Sequence, residues 1–141
     1  MITPIKTYIE QCVAIIDSSL KLIDDPTGTI DYSQKNEIED GYKIIFDSST
    51  TTKDGNFFIR SFPVRIEITK KGYRDLYEDF DAVFNKALSI EGEVISSARI
   101  SSQDTFSQIT TSGVAPEPFD ENLKTFKMTI NVTFEAYYDC D

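Results

Sequence analysis

The sequence predicts an α+β domain: a largely antiparallel β-sheet with two amphipathic helices packed on one face. Three observations predict it. Segments 3–23 and 73–90 repeat apolar residues at three- and four-residue spacing, the mark of one helix face. Segments 42–47, 58–69 and 126–138 alternate apolar with polar residues, as half-buried strands do. The strands cluster between and after the helices rather than alternating with them, which argues against a parallel βαβ winding. A chain of 141 residues, 40% of them apolar, suits one domain over 1–141.

The first helix starts where Thr3 can cap and Pro4 fits the first turn. Its apolar stripe is Ile5, Tyr8, Ile9, Cys12, Ile15, Ile16 and Leu20. Asp25-Pro26 stops it, because a residue before proline avoids the helical region. Residues 24–41 read as a long acidic connection with at most a short strand at Ile30–Tyr32. The EF-hand spacing is missing there, so the acids are assigned no metal.

In the next strand Tyr42, Ile44 and Phe46 alternate with Lys43, Ile45 and Asp47. Asp54-Gly55 is a turn signal between two strand-like runs. The second arm places Phe58, Phe62, Val64, Ile66 and Ile68 on one face. Pro63 within it implies an edge or a bulge, since proline donates nothing to a ladder.

Tyr73, Leu76, Phe80, Val83, Phe84, Ala87 and Leu88 mark the second helix, with acids in its first half as the helix dipole favours. Asp79 and Asp81 stand two positions apart on it, face different ways and form no acid–base dyad. Gly92 then restarts strand character over Glu93–Ser101. Residues 102–123 read as a long loop, of the kind that is functional or disordered more often than incidental. The closing strand alternates without fault, with Phe126, Met128, Ile130, Val132, Phe134, Ala136 and Tyr138 on one face. The glycosylation pattern Asn131-Val132-Thr133 lies mid-strand and is read as coincidence.

Composition excludes several function classes. The chain has no histidine, so Ser-His-Asp triads, Cys-His dyads and imidazole metal sites are ruled out. Cys12 and Cys140 are too distant in sequence for a CxxC motif, and both are expected to be free thiols. The formal charge of −10 disfavours a grip on nucleic acid, which Lys and Arg must supply. An acidic surface can still face passing DNA by repulsion. No apolar run approaches the ~18 residues of a membrane span, and Lys6, Glu10 and Asp17 interrupt any signal-peptide core, so an intracellular product is expected. No glycine-rich phosphate loop or nucleophile elbow occurs. The expectation is a non-enzyme without cofactor.

The order of elements carries a resemblance. The block Phe62-Pro-Val-Arg-Ile-Glu-Ile-Thr-Lys-Lys-Gly, the helix Tyr73–Leu88, a strand, and the closing strand Lys124–Tyr138 resemble the tail-terminator proteins of long-tailed bacteriophages and the related small tail-completion and neck proteins. The resemblance spans Ile2 to Tyr138 and transfers no functional residue. It implies a virion protein made in the host cytoplasm. Such a protein forms a homo-oligomeric ring, usually a hexamer, at the head-proximal end of the tail tube. There it stops tube growth and joins the tail to a neck or connector protein, with DNA only passing through the lumen. The alternatives are a neck or connector completion protein, or a small cellular protein-binding module. An enzyme using carboxylates alone is the remaining class. For contacts with another subunit or partner the reading singles out Lys53, Asp54 and Phe57 beside the first turn, and Phe106, Ile109 and Phe119 in the long loop. The three loop residues either anchor a partner or fold back onto the domain.

Overall fold

A computed structural model describes residues 1–28, 40–71, 74–96, 105–119, 121 and 124–139. The short strand expected at Ile30–Tyr32, and Cys140, lie outside the described residues. The elements run α1 (Ile2–Ile16), β1 (Lys21–Leu22), β2 (Gly41–Phe46), β3 (Thr50–Asp54), β4 (Phe57–Lys71), α2 (Leu76–Val94), β5 (Gln108–Pro116) and β6 (Thr125–Asp139). This is the expected α+β fold.

Two long strands organise the sheet. β4 and β6 pair antiparallel over their full 15 residues, from Phe57↔Asp139 to Lys71↔Thr125. Fifteen residues at ~3.3 Å span about 50 Å if straight. The order across the sheet is β1-β2-β4-β6-β5, and β3 pairs with the half of β4 that β2 leaves open. Only the short β1–β2 pairing is parallel among the described strands.

One face of the sheet carries both helices. Its even-numbered β4 and β6 residues, Val64, Ile66, Ile68, Met128, Ile130, Val132 and Phe134, are buried. They meet Ile5, Tyr8, Ile9, Cys12 and Val13 of α1 and Val83, Ala87, Ile90 and Val94 of α2. Burying each such aliphatic side chain contributes about 1.5–3 kcal/mol against exposure. The Cys12 side chain is buried within this core.

Several boundaries differ from expectation, each for a local reason. α1 ends at Ile16 rather than near 23, because the Asp17 carboxylate accepts from the Ser19 N–H at 3.0 Å. That local bond competes with the helical one. The freed chain turns and lays Lys21 and Leu22 beside Gly41 and Tyr42. α2 starts at Leu76, where Asp75 accepts from the Glu78 N–H at 3.0 Å and Asp79 reaches back to the Arg74 N–H at 2.8 Å. This is a reciprocal cap.

The strand expected over Glu93–Ser101 is corrected. Glu93 and Val94 belong to α2, whose buried stripe continues through Val83, Ala87, Ile90 and Val94; residues 97–101 lie outside the described part. Gly92 does not break the helix. The loop expected over 102–123 contains β5 instead, antiparallel to β6. The run before the Asp54-Gly55 turn signal is β3, and all five of its residues are exposed. Pro63 lies within a central strand, not at the outer edge. Its carbonyl accepts from the Asp47 N–H at 3.0 Å, so its missing donor faces the gap between the end of β2 and the start of β3. That gap is where a ladder bond is not required.

Candidate interaction surface

The helix layer covers only part of the sheet. Beyond Phe62 and Phe134, β3 with the first residues of β4 and the last of β6 forms a three-stranded arm. Its tip is the two-residue Gly55-Asn56 turn, with Gly55 at φ +62, the first central position where a type II′ turn demands positive φ. Strand pairing fixes which side chains share a face. Lys53 lies opposite Phe58, Thr51 opposite Arg60, and Phe58 opposite Tyr138, so these share the helix side of the sheet. The Arg60 guanidinium lies 4.7 Å from the Tyr138 ring centre, a cation–π contact. Asp54, Phe57, Ile59 and Tyr137 share the other side. Phe57 is 48% exposed and Tyr137 55%. The arm therefore carries aromatic rings on both faces, and among the described residues β3 has no strand on its outer edge, an edge that natural proteins usually cover or blunt.

At the opposite end of β6 lies an aromatic groove of about 230 Å³, lined by Leu76, Tyr77, Phe80, Glu117, Phe119 and Phe126. Phe80 stacks on Phe84 at 5.9 Å and meets Phe126 at 6.2 Å, and Phe119 lies 4.8 Å from Phe126. Tyr77 stands at its rim, 84% exposed. Acids surround the start of α2 here: Asp75, Glu78, Asp79 and Asp81 on the helix, and Glu117 beside Lys127 at 3.8 Å.

A second, smaller apolar pocket of about 190 Å³ opens between α1 and the strap that follows β1. That strap covers the outer edge of β2. Ile23 N–H donates to the Tyr42 carbonyl, and Phe46 N–H to the Pro26 carbonyl at 2.9 Å. Beneath it Lys43 Nζ pairs with Asp25 at 2.8 Å, both side chains buried. Among the described residues the same edge is thus sealed along β2 and open along β3.

Other ion pairs tie elements together. Lys86 donates to Asp17 at 2.7 Å, linking α2 to the end of α1 and holding the Asp17 carboxyl down at about 2. Burial raises Asp40, but bonds from Lys70 and the Lys71 N–H outweigh it and leave its carboxyl below the ordinary range. Asp47, bonded to Arg65 at 3.0 Å, raises that guanidinium. Burial pushes the Tyr42 phenol up to about 12. Among the described residues no group of three or more Cys, Asp or Glu converges as metal ligands, and no described helix is long and apolar enough to cross a membrane.

The six residues singled out in the sequence separate. Lys53, Asp54 and Phe57 are together at the arm tip and exposed. Phe119 lies in the groove. Phe106 and Ile109 are 5% and 6% exposed and belong to the core. Phe106 packs edge-on against Tyr8 and Phe134, so these two fold back onto the domain and offer no surface. Sequence reasoning missed Tyr77 and Tyr137. Each left a signal, an aromatic ring off the apolar stripe of its own element. No protein-family model and no curated protein matches the chain.

Proposed function

We propose that the chain is a structural subunit of a phage tail, a terminator that assembles as a ring at the head-proximal end of the tail tube. The three-stranded arm is the observation that supports this reading. A sheet end with Phe57 and Tyr137 exposed on one face, Lys53 and Arg60 on the other and, among the described residues, an open edge at β3 is a surface suited to a neighbour. The order of elements, which resembles tail terminators, supplies the rest. In such a ring the acidic loops and helix face, rather than the nearly balanced long strands, supply the negative charge near passing DNA.

Deleting the gene from its phage tests the reading. A terminator leaves tails of abnormal, uncontrolled length that do not join heads. Tails of uniform length that fail to join point to a completion protein of the neck. Tails of uniform length joined to heads overturn both.

A further inference from the structure

We propose that copies of this chain join head to tail, the arm of one seating on the aromatic groove at the start of α2 of the next. The inference rests on the assembly reading above and names its contact.

Both features belong to one pair of strands but lie at opposite ends of it. Phe126 of the groove and Tyr138 of the arm are twelve positions apart on β6, roughly 40 Å at ~3.3 Å per residue. An arm and a groove so separated cannot meet within one chain, so a pairing of the two joins two copies. The groove opens on the helix side of the sheet, the side on which the arm presents Lys53, Phe58, Arg60 and Tyr138.

The two surfaces are complementary in charge and in chemistry. The helix-side face of the arm carries two cations and no acid among its described side chains. Glu117 lines the groove, with Lys127 at 3.8 Å from it, and on α2 Asp81 stands one turn beyond Tyr77 of the lining. Rings on the arm meet rings in the groove, an arrangement that aromatic quadrupoles favour. Because the two patches differ, the contact is heterologous. Repeated around an axis it closes a ring, and without closure it makes a filament.

Disulfide trapping between exposed positions tests this. In a Cys140→Ser background, Lys53→Cys and Tyr77→Cys are made as separate proteins and mixed under mild oxidation, in solution and on tail tubes. The expected result is a cross-linked dimer in the mixture and none from the same two proteins incubated separately with the background protein. Lys53→Glu should weaken assembly at least tenfold by mass photometry, and Asp81→Lys in the same chain should restore it. Circular dichroism checks that each variant is folded. Assembly that proceeds without the cross-link and ignores the charge reversal overturns this contact while leaving the ring intact. A Tyr77→Cys cross-link to the tube protein alone, or an arm edge that pairs with a different protein, also overturns it. Monomers both in solution and on tubes overturn the ring reading together with the contact.

Discussion

The Tyr8 hydroxyl donates to the Val94 carbonyl at 2.7 Å, across 86 positions of sequence. It closes the C-terminal end of α2 against α1, where the last carbonyls of a helix lack partners of their own. The same ring stands edge-on to Phe106 and Phe134. Tyr8→Phe keeps the ring and strands a buried carbonyl, so it should cost about 1–2 kcal/mol. Tyr8→Ala also leaves a cavity and should cost about 3–5 kcal/mol. Urea unfolding reads both, and equal midpoints for Tyr8→Phe and the parent would remove the hydrogen bond from the account.

Lys43 and Asp25 form an ion pair sealed under the strap, with side chains 4% and 2% exposed. Removing one partner leaves a buried charge unmatched. Lys43→Met alone should therefore destabilise by about 3–5 kcal/mol, while Lys43→Met with Asp25→Leu should recover most of the loss. A double variant no better than the single one would show that the pair is held for the surrounding bonds and not for its own charge balance.

The Asp17 carboxyl sits at about 2, below its ordinary 3.8, chiefly because Lys86 donates to it. A carboxyl lowered by folding stabilises fully above its unfolded value and loses that contribution as pH falls through its folded one. The loss should therefore fall between pH 3.8 and about 2. The pair is partly exposed, so screening limits it to about 1 kcal/mol or less. Asp17→Asn should lower stability at neutral pH by that amount and flatten the acid limb of the stability curve. Chemical denaturation at a series of pH values measures both effects.

Two glycines predict opposite signs. A Cβ on Gly41 would stand 2.6 Å from the Lys21 carbonyl oxygen, where β1 lies against β2. Gly41→Ala should push the strap away and cost about 1–3 kcal/mol. A Cβ on Gly92, within α2, meets nothing within 4 Å. Gly92→Ala should gain about 0.5–1 kcal/mol from helix propensity alone. Thermal melts that rank the two in the reverse order would contradict the packing described here.

Legibility in the sequence followed the regularity of each element. β6 was readable because its two-residue period runs unbroken from Phe126 to Tyr138. β5 was not, and the cause is one extra residue. Ile109 faces Phe134 and Val114 faces Ile130 on the same core side, yet they are five positions apart. A bulge between Thr111 and Gly113 shifts the parity, with Gly113 at φ +105, so strict alternation fails. The missed end of α2 was legible in principle, since Val94 continues the stripe of Ala87 and Ile90 past Gly92. The arm tip was partly legible, because Asp54-Gly55 marks the turn and Phe57 interrupts a polar stretch.

The sequence by itself determined two amphipathic helices, the long alternating strands, an antiparallel sheet and the exclusion of histidine chemistry. These depend on local periods of two and 3.6 residues and on composition, which need no knowledge of distant neighbours. Only the tertiary structure decided that Phe106 and Ile109 enter the core while Phe119 lines a groove. All three are lone apolar residues in polar surroundings, and which of them finds a buried partner depends on strand register and helix placement. The same register places Lys53 and Arg60 on the helix side at one end of the sheet and the aromatic groove at the other. A linear pattern holds no such distance or direction.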